Sequence, residues 1–210
     1  MLTRLGPEIF LALPALIIAL TFHEYAHAYV SNWLGDPTPR MRGRLSLNPL
    51  VHIDPIGFLM LLIFQFGWAK PVEVSPQNYR NREKGYALVA LAGPVMNLLL
   101  GLVSMLLYFA SRNLNSQAIS GLLEWLVRYN VILAVFNLLP IPPLDGSKLL
   151  FFFLPRNIVY RYLDTVQQYG TIVLILLVAT GFVGTLISPL ANGVIMFYQR
   201  IAGLLFTGTW

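Results

Sequence analysis

The sequence predicts an all-α integral membrane helix bundle of four or five spanning helices. A re-entrant or interfacial segment and a small β-strand region are expected between the first two of them. Three observations predict this class. Of 210 residues, 57% are hydrophobic and only 11% are charged, where a soluble globular chain carries roughly 25% charge. The apolar residues gather into runs of about 20, the length that crosses a bilayer. Aromatic residues make up 13% of the chain, which excludes the aromatic-poor, charge-rich composition of a disordered segment.

The first run, Pro7 to Leu34, opens on a proline suited to a helix start and stops at Gly35-Asp36-Pro37. A polar stretch from Asp36 to Asp54 follows, and within it Met41 to Leu47 alternates like a short strand. Ile56 to Trp68 is apolar but only 13 residues long, below spanning length. A second basic loop, Ala69 to Lys84, leads to runs at Tyr86 to Ala110, Gly121 to Leu139 and Thr171 to Ile187. The last segment, Leu190 to Phe206, is interrupted by Gln199 and Arg200, so it either spans or lies in the interface. There is no internal repeat, and the chain reads as one domain, 1–210, with a core at 8–150 and C-terminal helices over 171–206.

The net charge of +5 would suit a nucleic acid, but the basic residues sit in the connections between apolar runs. Lipid headgroups and membrane topology account for them there, and no nucleic-acid partner is expected. Arg40, Arg42, Arg44, Lys70, Arg80, Arg82 and Lys84 follow the first helix, and Lys148, Arg156 and Arg161 follow the third. Only Arg4 and Arg112 fall on the other side. With Ile56 to Trp68 not spanning, this asymmetry puts both large loops in the cytoplasm and the N-terminus outside. A prokaryotic cell membrane is the expected location. Glu124 and Arg128 form an i, i+4 pair read as a structural salt bridge near the outer surface.

The absence of cysteine rules out disulfides and thiolate ligands, so any metal must be held by His, Asp or Glu. The first helix carries His23-Glu24-Tyr25-Ala26-His27. Residues i and i+4 share a helix face, so both imidazoles can reach one ion. Glu24 can then face the water that the ion polarises, which is the logic of the H-E-x-x-H metalloprotease motif. The bland alternative is a hydrogen-bonded polar patch between packed helices. Cost weighs against it, because each ionisable group in a membrane helix costs about 2.5–3.5 kcal/mol. Three within five residues call for a compensating cation.

A catalytic zinc site with an open position takes three protein ligands. Val30 and Trp33 occupy the Gly and third-His positions of the extended soluble motif, so the third ligand is distant. His52, Asp54, Glu73, Glu83, Glu124, Asp145 and Asp164 are the candidates, and Asp145 leads. It follows the third spanning run in "NLLPIPPLDG", where Pro140, Pro142 and Pro143 predict an extended path and then an Asp-Gly turn. Non-helical backbone at membrane depth is tolerated only inside protein or beside a water-filled cavity.

"HEYAH" in an early membrane helix, with "NLLPIPPLDG" after a later one, resembles the site-2 protease family of intramembrane zinc metalloproteases. "GRLSLNPLVHIDPIG", "GWAKPVEV" and "LAGPVMN" resemble its small bacterial and archaeal members that lack a PDZ domain. The likeness runs from about residue 8 to residue 150. It implies His23, His27 and Asp145 as ligands of one zinc ion per chain, Glu24 as the catalytic glutamate, and Asn137 as the group that steadies the transition state. Asn97 matches a family motif, with helix–helix hydrogen bonding as the plainer reading. As a loop histidine, His52 is read first as structural, with a secondary role in orienting substrate or a ligand as the alternative.

The expected reaction is hydrolysis of peptide bonds in or near transmembrane segments of membrane-anchored proteins, at a site opening toward the cytoplasm. A helical substrate must unwind, and pairing with an exposed strand would replace its lost backbone bonds. Met41 to Leu47 and Pro140 to Leu144 are the expected edges. Two rival readings use the same ligands: a divalent-metal transporter or sensor, and a catalytically silent membrane scaffold. The outer half of the first helix offers a transported ion only Glu8. A silent relative usually loses the glutamate or a ligand, and here all four positions are filled.

Overall fold

The computed structural model describes residues 8–64, 67–114 and 116–206. Arg4, the expected helix start Pro7, and residues 65 and 66 of the short apolar run lie outside them. Four helices are long and apolar enough to cross a membrane: α1 (Ile9–Trp33), α4 (Arg82–Ala110), α5 (Gln117–Asn137) and α8 (Phe182–Phe206). Between them lie α2 (Thr38–Met41), α3 (Pro55–Phe64), α6 (Asp145–Phe153) and α7 (Arg156–Ala179). The protein is an integral membrane helix bundle. At its centre α1, α4 and α5 pack against one another, with α8 against α4 and α5 and α6 against α4.

The sequence of α4 shows how such a bundle is built without a hydrophobic drive between helices. Leu88, Leu91, Val95, Leu99, Val103 and Leu107 form an exposed stripe that suits lipid. Gly85, Gly93, Asn97 and Gly101 are buried on the inner side. Small residues let backbones approach and polar ones bond across helices. A Cβ on Gly101 would lie 3.4 Å from both Tyr198 and Val131, which places this residue against α8 and α5. On α1 the buried Ala12, Ala15 and Ala19 do the same work.

The short apolar run does not cross. Ile53 and Ala69 form an antiparallel bridge, and the Lys70 N–H donates to the His52 carbonyl at 2.8 Å. The chain therefore leaves and returns at one place, with α3 as the excursion. Gly57 makes the closure fit, since a Cβ there would lie 2.2 Å from the Trp68 carbonyl oxygen.

Four expectations are corrected. No strand forms among the described residues; the bridge at Ile53 is isolated. Met41 instead ends α2, and Gly43 turns the chain at φ 68°. The cause is Asp36, whose carboxylate takes the Thr38 N–H (3.0 Å) and hydroxyl (2.6 Å) and starts a helical turn where alternation predicts extension. Neither proposed substrate edge forms a strand. Pro140 to Leu144 folds into consecutive tight turns, bonded from Ile141 to Leu139 and from Leu144 to Ile141. Asp145-Gly146 opens α6 rather than forming a turn. Lastly, the fourth span is α8, not Thr171 to Ile187. The break falls at Thr180-Gly181, where Gly181 has φ 75°, a conformation that favours glycine. Pro189 lies inside α8, as Pro14 and Pro94 lie inside α1 and α4. Prolines are tolerated in membrane helices, where neighbouring helices and Ser/Thr side chains re-satisfy the freed carbonyls.

Candidate metal centre

His23 and His27 sit one turn apart on the buried face of α1, under α4. Gly93 of α4 makes room for them: a Cβ there would lie 2.5 Å from both His23 Cε1 and His27 Nε2. Asp145 reaches them from the first turn of α6. Gly146 lets α6 press onto the end of α5, because a Cβ would meet the Leu138 carbonyl oxygen at 2.2 Å. The result is a tight triangle. His23 Nε2 lies 3.1 Å from His27 Nε2, and Asp145 Oδ2 lies 3.3 and 3.0 Å from the two nitrogens. All three residues are buried.

Hydrogen bonding places a proton on Nδ1 of both rings. His27 Nδ1 faces the Val89 carbonyl at 2.7 Å, an acceptor, so Nδ1 carries the proton. His23 Nδ1 faces Asn97 Oδ1 at 2.6 Å. The Asn97 amide nitrogen is committed elsewhere, donating to the Ala19 carbonyl (3.0 Å) and to Asn130 Oδ1 (2.8 Å), so His23 Nδ1 is also a donor. In the neutral rings both Nε2 atoms are lone pairs, aimed at each other and at a carboxylate oxygen. With neutral rings, three acceptors converge at 3.0–3.3 Å, an arrangement that a bound cation satisfies. Ligands at 2.0–2.1 Å around tetrahedral zinc are about 3.3 Å apart, so the donor set fits that ion in both chemistry and spacing. Among the described residues no other group of three or more His, Asp or Glu could hold a metal.

Glu24, half-buried beside the triangle, accepts the Val72 N–H on Oε2 at 3.2 Å. Asn137, at the last turn of α5, lines the same pocket, which holds about 140 Å³. One of its amide hydrogens goes to the Leu133 carbonyl at 3.0 Å; the amide has a second to give. Asn97 links His23 on α1 to Asn130 on α5, which is itself tied to the Leu126 carbonyl at 2.8 Å.

The other candidates lie apart from the triangle. His52 is buried in the loop, its Nε2 on the Ser46 carbonyl at 2.8 Å and its Nδ1 without a partner. Glu73 pairs with Arg42 at 3.3 Å and Glu124 with Arg128 at 3.2 Å, all four side chains more than half exposed. Asp54 caps α3 through the Gly57 N–H at 2.7 Å. Glu83 lies in the first turn of α4, and the side chain of Asp164 is outside the described set. Sequence reading passed over Gly93, Asn130 and Lys148. An asparagine inside an apolar run was a usable signal for Asn130. Lys148 reads from the sequence as a loop charge, yet it lines the pocket and donates to Asp145 Oδ1 at 2.9 Å.

With this geometry described, comparison with known proteins decides the family. The model of peptidase family M50 matches residues 109–178. A Bacillus subtilis protein named "Putative zinc metalloprotease YwhC" is 34% identical over 184 residues, 84% of each chain. The chain belongs to peptidase family M50. This is the family of the site-2 proteases that the sequence motifs resemble. A Mycobacterium tuberculosis H37Rv protein named "Putative zinc metalloprotease Rip2" is 33% identical over 77% of this chain and 63% of its own length. Stage IV sporulation protein FB of B. subtilis is 28% identical over 69% of this chain and 51% of its own. The chain thus spans less than two thirds of these two relatives. No solved structure matches it.

Proposed function

We propose that this M50 member is a single-domain intramembrane zinc metalloprotease that hydrolyses peptide bonds in or near membrane-spanning segments of anchored proteins. The observation that carries the reading is the triangle of three buried acceptors with a carboxylate, Glu24, and an amide, Asn137, lining one pocket. His23, His27 and Asp145 would hold one zinc ion, which supplies Lewis acidity that activates water and polarises a carbonyl near neutral pH.

The protein's own groups do the rest. Glu24 takes a proton from the attacking water and returns it to the leaving amine. The Val72 N–H holds one oxygen of Glu24, leaving the other for the proton. Asn137 donates to the oxyanion, a contribution of about 2.7–4 kcal/mol for one such donor. Asn97 and the Val89 carbonyl fix the two imidazole tautomers, as outer partners of metal-binding histidines commonly do. Trp33, the last residue of α1, follows His27 by six residues, about 9 Å along the axis. The pocket therefore lies inside the bilayer near one face, which the loop charges assign to the cytoplasm.

Glu24→Gln tests the reading in purified protein reconstituted into liposomes with a membrane-spanning peptide. Cleavage falls by three orders of magnitude or more while metal analysis still finds one zinc per chain. Wild-type cleavage by the variant, or a wild type that holds zinc and cuts no peptide, overturns it. The second outcome favours the transporter or scaffold.

A further inference from the structure

Lys148 is a cation placed against a metal ligand. It sits on α6 three residues after Asp145, with 33% of its side chain exposed and Nζ 2.9 Å from Asp145 Oδ1. The face of Tyr86 lies 5.9 Å away, and the Glu24 carboxylate in the same pocket also acts on the ammonium through charge. A lysine beside a site that must attract a divalent cation works against that cation by plain Coulomb repulsion. Its position therefore needs a compensating use, and the geometry supplies one.

A carboxylate has two oxygens, and a carboxylate on zinc can use one or both. Here they are divided. Oδ2 faces His23 and His27 at 3.3 and 3.0 Å, while Oδ1 is taken by Lys148. A second oxygen on the ion would add a fifth donor and crowd the position that a catalytic zinc site keeps open for water and substrate. We infer that Lys148 is a positioning residue that holds Oδ1 away, so that Asp145 offers one oxygen only and the fourth position stays open. This rests on the assignment of His23, His27 and Asp145 as ligands. The usual partner of a metal ligand raises its basicity; this one instead restricts how many of its atoms can bind. Neither the H-E-x-x-H spacing nor the proline cluster contains this function.

The test uses full-length protein in detergent, loaded with cobalt(II), whose visible absorption is strong at four-coordination and weak at five. Wild type, Lys148→Met, Lys148→Gln, Lys148→Arg and Asp145→Ala are compared, and the stability of each apoprotein is followed by circular dichroism. Lys148→Met and Lys148→Gln show weakened cobalt bands and a peptidase rate down 10–100-fold, the range found for outer partners of metal ligands. Lys148→Arg, which keeps charge and donors, restores both. A merely structural i, i+3 pair would lower apoprotein stability and leave the spectrum alone, and that result overturns the inference. So does a wild-type spectrum and rate in Lys148→Met or Lys148→Gln while Asp145→Ala loses the metal, with the ligand assignment left standing. A wild type that takes up neither cobalt nor zinc removes the ligand assignment and this inference together.

Discussion

Gly93 shows what a single residue contributes to the centre. Two imidazoles one turn apart on α1 project into the groove beside α4, and only the absence of a side chain at residue 93 admits them. In Gly93→Ala the new methyl overlaps His23 Cε1 and His27 Nε2, both 2.5 Å away, so the rings or the helices must move. Overpacking of this kind costs about 1–3 kcal/mol, and the displacement falls on the metal-binding atoms. The expected result is at least a tenfold loss of zinc affinity, measured by chelator competition, with helical content retained. Unchanged affinity would show that the rings do not bind where they now lie. Gly93 was within the legible "LAGPVMN" motif, but nothing in a linear sequence says which side chains a glycine faces. His23, Glu24 and His27 were legible because their spacing alone puts them on one turn. Asp145 stood out through the odd chemistry of its proline-rich surroundings. Asn130 and Lys148 act through contacts with distant or already assigned residues, so pattern reading left them out.

Among the elements, the segment from Gly67 to Tyr79 decides how Glu24 is held, since it carries Val72. It is pinned at both ends by buried charges. Arg44 donates to the carbonyls of Val51, Lys70 (3.3 Å) and Pro71 (2.9 Å). Asp36, fully buried, accepts from the hydroxyl of Ser31 (2.9 Å), the Ser75 N–H (2.7 Å) and Asn78 (2.9 Å), besides both groups of Thr38. Burial alone would raise the Asp36 carboxyl, but the hydrogen bonds from Thr38, Ser75 and Asn78 outweigh it and hold its pKa at about 2. A carboxyl lowered from about 3.9 contributes stability that is fully present above pH 4 and is lost as pH falls through 2. Asp36→Asn sets an amide against donors, at roughly 1–3 kcal/mol for each buried donor left without an acceptor. Limited proteolysis of this loop should be faster in the variant at pH 6. The wild type should approach the variant as pH falls from 4 toward 2. An unchanged gap across that range would remove Asp36 as the clamp. Composition marked the loop as polar and basic, but alternation at Met41 to Leu47 misled because a local cap outranks a β pattern with no partner strand. The apolar run from Thr171 to Ile187 misled as well, because the break at Gly181 depends on a positive φ that sequence only permits.

At the scale of the whole molecule, the centre constrains topology. His27 nears the end of α1 and Asp145 follows the end of α5, so those two ends share a membrane face. The bridge between Ile53 and Ala69 removes α3 as a crossing, leaving α4 to return before α5 comes back. α8 then leaves that face, and Phe206 at its end lies 6.4 Å from Phe109 at the end of α4, as an even number of crossings requires. Contacts set which ends share a face, and the charge asymmetry is the argument for that face as the cytoplasmic one. Seven basic residues follow α1, against Arg112 alone between α4 and α5. Arg44 is buried among carbonyls, but its charge counts when the chain is inserted, before the loop folds. The sequence has no cysteine, so single cysteines report without interference. Asn113→Cys, in the exposed turn after α4, should react in intact cells with a maleimide that cannot cross membranes. Arg80→Cys, in the exposed loop before α4, should react only after permeabilisation. The reverse pattern would turn the molecule over and open the pocket to the outside. Substrates would then be cut near their outer ends, and the positive-inside count would have failed where seven charges in one connection oppose one in the next.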